Sequence, residues 1–392
     1  MKNQWLLLVL MSFLGCASPS EKTPNNPGVQ KEEVVKVSPF QLLLDSLFEA
    51  KPALKGVSMH IESPDRNISW TGAAGFADSA TNRLLKPSDP VLIASTTKLY
   101  MSAITLKLVE NGLFKLSDPI KSLLSKKTTK TLMSDGYDLE KITIAHLLSN
   151  TSGFYDYVNT KTFMDRTQND LQHEWTRDEQ IALAVSEGDP VGKPGETFSY
   201  SDVNFLLIGE IIEQQTGMPF YTAMRNFLDY EKHNLNHTWF NLLEATPGDL
   251  APLTHQFATK LNSDSYTLHG SFDLYGGGGI AATPKDVARF SQALFNGKLF
   301  TNPETIELIF TNIETQDSVS ANYYMGVKEI EIGNYKAYGH GGFWGTTVQY
   351  IPALNTSVSV FLMERDQWPV YLELMEDVVE ILAETHSPNS TD

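Results

Sequence analysis

Apolar and polar positions alternate in two groups of short runs at opposite ends of the chain. Near the start, residues 56–62 and 68–76 read as strands joined by a turn at Ser63-Pro64-Asp65-Arg66-Asn67. Near the end, residues 323–332, 335–340, 346–351 and 357–363 alternate or run apolar at strand length, separated by Gly-Asn, Gly-Gly and Pro-Ala-Leu-Asn turns. An amphipathic helix is predicted before the first group at 40–48, and a closing helix after the second at 368–385. Between the groups, residues 116–268 are mostly helical and loop. Strands at both ends with helices inserted between them predict an α/β fold of the α+β type: one antiparallel sheet, helices on its faces and an inserted, mostly helical lobe.

The stretch at 91–112 changes the picture from architecture to chemistry. An apolar run meets Ser95-Thr96-Thr97, a helix-compatible segment follows, and Asn111-Gly112 supplies a stop. Ser95 is therefore expected to open a helix, with Lys98 on the same face one turn later, its amine within reach of the serine hydroxyl. A serine hydroxyl needs a neighbouring base to become a nucleophile, and a helix N-terminus offers N–H groups to a developing oxyanion. The spacing alone is weak. However, Ser95 is the only serine in the chain with a lysine three residues on, and Leu99, Met101, Ala103, Ile104, Leu106, Leu108 and Val109 leave the helix apolar on nearly all sides. A lysine at the start of such a buried helix has to be paired or used.

At the N-terminus, Met1-Lys2 is followed by an apolar segment from Trp5 to Leu14, too short to span a membrane, and by Cys16, the only cysteine. This resembles a bacterial lipoprotein signal, which implies removal of residues 1–15 and lipidation of Cys16. Residues 16–38, rich in Pro, Asn, Ser, Lys and Glu, are expected to be a disordered tether. The resemblance places the protein in a bacterial cell envelope, lipid-anchored and facing the periplasm or on the outer membrane. A formal charge of −17 argues against nucleic acid as a partner.

Two further clusters lie at the mouths of predicted elements. Tyr200-Ser201-Asp202 precedes an apolar helix, and His340-Gly341-Gly342 ends a strand before Phe343-Trp344. In that order and at those separations, Ser95-x-x-Lys98, Tyr200-Ser201-Asp202 and His340-Gly341-Gly342 resemble the three motifs of the serine β-lactamase and penicillin-binding hydrolases, specifically the branch of class C β-lactamases, DD-peptidases and esterases. Blocks at 142–153, 194–200 and Gly276–Gly279 with 283–287 resemble that branch too, and the likeness covers about 40–385, within a hydrolase domain expected at 39–386.

The resemblance implies a serine hydrolase without a cofactor that acts on an ester, a D-amino-acid peptide or a β-lactam through an acyl-Ser95 intermediate. Lys98 would share or relay the proton. Tyr200 would be the general base, and the N–H groups of Ser95 and Phe343 would hold the oxyanion. Narrower alternatives are a D-Ala-D-Ala carboxypeptidase or a class C-type β-lactamase; one of another class is a penicillin or cell-wall peptide sensor that does not turn over. Asp202 departs from the usual Asn, and a carboxylate about 4 Å from Lys98 would hold the lysine protonated. His340 and Gly341 depart from the usual Lys and Thr, so this motif is expected to hold a substrate carboxylate weakly, and any cation for it would come from elsewhere, such as the helical lobe. Short-chain esters are then expected to outrun cephalosporins, with Phe343 and Trp344 lining an apolar pocket. No Gly-x-Ser-x-Gly elbow is present, His173-Glu174 lacks the second histidine of a zinc-protease motif, and His233 and His237 read as surface loop.

Overall fold

The computed structural model describes residues 37–316 and 322–384. The expected signal, Cys16 and all but the last two residues of the tether lie outside the described residues. Helix α1 (Pro39–Ala50) leads into the hairpin β1 (Gly56–Ser63) and β2 (Ile68–Asp78), with β3 (Arg83–Leu84) beside it, and β4 (Val91–Leu92) carries the chain to α2 (Thr97–Glu110). Helices α3 (Lys126–Met133), α4 (Ile144–Leu148), α5 (Lys161–Asn169), α6 (Arg177–Glu187), α7 (Val203–Thr216) and α8 (Phe220–Phe227) follow. Short strands β5 (Thr238–Phe240), β6 (Phe257–Ala258), β7 (Ser263–Asp264) and β8 (Ile280–Ala282) precede α9 (Pro284–Phe295). The chain then adds β9 (Lys328–Ile332), β10 (Tyr335–Gly342), β11 (Thr346–Ile351) and β12 (Thr356–Leu362), and closes with α10 (Val370–Glu384).

The main sheet is antiparallel and seven-stranded, in the order β3-β2-β1-β12-β11-β10-β9. Its centre joins the two ends of the sequence, with Val57 opposite Leu362, Met59 opposite Val360 and Ile61 opposite Val358. Those side chains pack with Phe40 and Leu44 of α1 and with Leu374, Met375 and Val378 of α10. The alternate positions turn to α9: Ser359 Oγ donates to the Pro284 carbonyl at 2.7 Å, and Ser357 Oγ lies 3.2 Å from Ser291 Oγ. Because both faces are covered, β12 is buried at every position, and small hydroxyl residues fill the face on which a helix lies close.

A second apolar core runs through α2, on which every residue from Thr97 to Leu106 is buried. The segment that leads into α2 is fixed by a small sheet in the order β4-β8-β5, continued by a hydrogen bond from Ile93 N–H to the Ile280 carbonyl at 2.9 Å. Two local expectations are corrected. The Ser/Thr cluster does not cap α2 through a side chain; instead Ala94–Thr96 forms a tight 3₁₀ turn, with Ala94 at φ +46°. The strand expected from 323 starts only at Lys328, because Gly326, at φ +74°, turns the chain so closely against α2 that a Cβ there would lie 2.1 Å from Ser102 Oγ.

Strand β10 is similarly pressed against the nucleophile segment. A Cβ on Gly342 would lie 2.1 Å from the Ile93 carbonyl oxygen and 2.4 Å from Thr346 Oγ1. Gly342→Ala is therefore expected to destabilise the protein by about 1–3 kcal/mol, the usual scale for overpacking. Gly248→Ala, which meets nothing within 4 Å, should stay within about 0.5 kcal/mol of the parent. Denaturant melts of the two variants check the difference.

Candidate active site

The 3₁₀ turn presents Ser95 half-buried at the start of α2, and the following helical turn sets Lys98 behind it with no solvent exposure. Lys98 Nζ donates to Ser95 Oγ at 2.9 Å and to the Gly277 carbonyl at 2.6 Å. Asp202 Oδ1 lies 2.5 Å from the same nitrogen, as a charge pair off the direction of an aligned hydrogen bond. The carboxylate is thus nearer than the 4 Å expected. It offsets the desolvation of a buried ammonium that also lies 5.0 Å and 5.2 Å from the ring centres of Tyr200 and Phe205.

The Tyr200 loop is held from behind by Asn150, buried and at φ +56° just beyond α4. Its carbonyl accepts from Ser199 N–H at 2.8 Å, and its Oδ1 accepts from Ser201 N–H at 3.1 Å and from Asn204 Nδ2 at 2.9 Å. This sets the Tyr200 hydroxyl beside the Ser95 side chain, near enough for the two to interact. Tyr200 is half-buried, and protein packs densely around it. Burial pushes its pKa well above the ordinary tyrosine value, the charge of Asp202 adds to this, and the Ser95 hydrogen bond works against it. The resting group is a phenol.

His340 is buried on the same side of the sheet. Its Nδ1 lies 2.7 Å from the Gly341 carbonyl, which can only accept, so Nδ1 carries the hydrogen and Nε2 accepts from the Tyr323 hydroxyl at 3.3 Å. Burial, then the charges of Lys328 and Lys98, hold its pKa well below the ordinary histidine value, so it is a neutral part of the site wall. Gly342 brings the end of β10, and with it Phe343, beside the segment that ends in Ser95. Trp344 does not line the cleft as expected: in the turn between β10 and β11 it is 1% exposed, packed against Phe272 and Phe343.

Two carboxylates near Lys98 were not anticipated. Asp156 Oδ1 accepts from Asp202 N–H at 3.2 Å, and burial, reinforced by Asp202, pushes its pKa well above the carboxylate range. Asp273 has a buried oxygen, Oδ1, without a hydrogen-bond partner among the described residues. Burial and then Asp202 push its pKa up to about 7, against the pull of Lys98. The glycine run does pass close to the cleft, with the Gly277 backbone against Asp202 and its carbonyl on Lys98. Away from the site, His237 Nε2 lies 2.9 Å from Asp249 Oδ2, and His173 contacts Glu179 at 2.9 Å.

A sequence profile described as Beta-lactamase matches residues 44–382. The chain is 22% identical over 348 residues to penicillin-binding protein 4* of Bacillus subtilis (strain 168), covering 83% of this chain and 72% of that protein. It is 26% identical over 197 residues to Protein flp of Staphylococcus aureus (strain COL), covering 50% of this chain and only 35% of that relative's length. Among solved structures, a D-stereospecific amidohydrolase from Streptomyces sp. is similar at a TM-score of 0.70 and 24% identity, over 84% of this chain and 95% of that one. A D-amino acid amidase from Ochrobactrum anthropi SV3 is similar at a TM-score of 0.73 and 20% identity, over 89% and 98%. Both structural likenesses are of fold.

The raised pKa of Asp273 has a consequence for stability. An unfolded aspartate loses its proton near pH 3.9, whereas Asp273 in the fold keeps it to about pH 7, so its contribution is complete in acid and is lost as pH rises through about 7. Asp273→Asn is expected to raise the melting temperature relative to the parent at pH 8 while changing it little at pH 4. Thermal melts across that range check the slope.

Proposed function

Because the chain belongs to the Beta-lactamase family, whose profile spans residues 44–382, we propose that it is a serine hydrolase that acts through an acyl-Ser95 intermediate on an ester, a D-amino-acid peptide or a β-lactam. The observation that carries this reading is the Ser95 hydroxyl held between the buried Lys98 ammonium, at 2.9 Å, and the Tyr200 hydroxyl. The ammonium donates to Ser95 Oγ and so leaves the serine proton directed at Tyr200.

As Ser95 attacks the substrate carbonyl, its proton passes to the Tyr200 oxygen while Tyr200 gives its own proton to the leaving nitrogen or oxygen. The tyrosine ends as it began, so the shuttle needs no phenolate at rest, in keeping with a phenol whose pKa is pushed up. Lys98, fixed by Asp202 and the Gly277 carbonyl, supplies constant positive charge to the oxygen that develops negative charge. Backbone N–H groups of Ser95 and Phe343 receive the carbonyl oxygen. For deacylation, water takes the place of the leaving group and the proton path runs in reverse. The alternative of a sensor that acylates without turnover differs only in this second half.

A fluorophosphonate probe is expected to add its phosphonyl mass to Ser95, and Ser95→Ala should abolish labelling and turnover together; labelling that persists in that variant would falsify the reading. Lys98→Ala and Tyr200→Phe should each lower kcat/KM by roughly two to four orders of magnitude, with their combination well short of additive because both serve one proton path. Steady-state kinetics of the two single variants and the double variant provide the check.

We further propose that Cys16 carries a lipid and ties the domain to a bacterial envelope membrane. Mature protein should partition with membranes, and Cys16→Ser should release it or block its processing. Membrane fractionation with N-terminal mass spectrometry reads both outcomes.

A further inference from the structure

Tyr200 comes from the loop before α7 and His340 from β10, and their rings meet at 6.2 Å from different parts of the fold. Tyr323, buried at 4% exposure, packs against both. Its ring lies 6.1 Å from that of Tyr200 at 87° and 5.9 Å from that of His340 at 85°, edge-on to each, and 5.3 Å from that of Phe198 on the Tyr200 loop. Edge-to-face is a preferred arrangement of such rings, so the Tyr323 ring determines where the Tyr200 ring can settle.

The hydroxyl of Tyr323 is committed as well. His340 Nδ1 gives its hydrogen to the Gly341 carbonyl, which leaves Nε2 as the acceptor for the Tyr323 hydroxyl at 3.3 Å. The side chain of Asn150, whose Oδ1 holds the Tyr200 loop through Ser201 N–H, is near enough to interact with the same hydroxyl. The backbone beyond Tyr323 is tied to the same end of α4: Gly326 N–H donates to the Leu148 carbonyl at 2.8 Å, and Met325 N–H to the Ile309 carbonyl at 3.1 Å. Burial pushes the pKa of Tyr323 well above the ordinary tyrosine value, so it stays a phenol.

We propose that Tyr323 is a positioning residue for the proton shuttle, holding Tyr200 at the tilt and distance from β10 at which its proton reaches the leaving group, a role that rests on the serine-hydrolase reading above. In the step it governs, the bond from the acyl carbon to the leaving oxygen breaks as the Tyr200 proton moves to that oxygen, while Tyr200 takes the proton of Ser95. A misplacement of about 1 Å in such a step can cost about a hundredfold in rate. Buried against Phe198, Tyr200 and His340, Tyr323 acts through Tyr200 and not on the substrate. Its loss therefore matters most where the leaving group cannot depart without a proton, and little where it departs as a stable anion.

The test compares kcat/KM for two esters of one acyl group, 4-nitrophenyl acetate, whose leaving group needs no proton, and benzyl acetate, whose leaving group does. Tyr323→Phe, which keeps the ring and removes the hydroxyl, should cost about tenfold on benzyl acetate and less than about threefold on 4-nitrophenyl acetate; Tyr323→Leu, which removes the ring, should cost about a hundredfold on benzyl acetate. In a Tyr200→Phe background, Tyr323→Phe should cost less than about twofold more, because it acts through the group already removed. If Tyr323→Leu does not fold, Tyr323→Phe decides. Equal losses on the two esters, or a full further loss on top of Tyr200→Phe, overturn the positioning role and leave the hydrolase reading standing. Fluorophosphonate labelling of Ser95 is measured on the same samples, and its absence in the parent overturns the hydrolase reading itself. A labelled parent that releases no benzyl alcohol, or a Tyr200→Phe variant that loses both esters alike, overturns the shuttle and with it the role of Tyr323.

Discussion

A buried ammonium has to meet acceptors for its hydrogens or it will not stay charged, and at Lys98 those acceptors come from three distant parts of the chain. Ser95 lies in the 3₁₀ turn that leads into α2, Asp202 stands just before α7 in the helical lobe, and the Gly277 carbonyl comes from the loop before β8. Helix α2, the lobe and the small sheet behind the nucleophile are therefore referred to one nitrogen atom. Moving any of the three by an ångström would leave a donor unsatisfied on a side chain with no solvent exposure. The rest of the site inherits its precision from this constraint.

The charge balance around that nitrogen also sets what the neighbouring groups can be. Burial first, and then the charge of Asp202, push Asp156 and Asp273 towards their protonated forms, while Asp202 takes the ion pair with Lys98. Burial, and then the charge of Asp202, keep Tyr200 a phenol and make a shuttle a better description than a free base. On the far side, burial and then the charges of Lys328 and Lys98 keep His340 neutral.

Much of this was legible in the order of residues. The period-two runs marked the main strands because burial of alternate positions is a local property, and Ser95 and Lys98 could be paired because one helical turn fixes their relation. Tyr200-Ser201-Asp202 stood at a recognisable helix mouth. Asn150, Asp156 and Asp273 were not assignable to roles, since each acts through contacts with residues 46 or more positions away. The turn at Gly326 was missed for the same reason, because its cause is Ser102 on a helix far earlier in the chain.

The pairing of β1 with β12 carries a further meaning for how the protein comes to exist. The central ladder of the sheet joins residues 57–62 to residues 357–362, so the first hairpin has no partner on its inner edge until nearly the whole chain is available. Contacts of such long sequence separation are slow to form, because a large loop must close before they contribute. During synthesis the early strands remain an exposed template, and the last strand commits the sheet, the α9 face and the β10 edge in one step. A chain cut short before Thr356 would lose the centre of the sheet, however complete its Ser95, Lys98 and Tyr200 motifs.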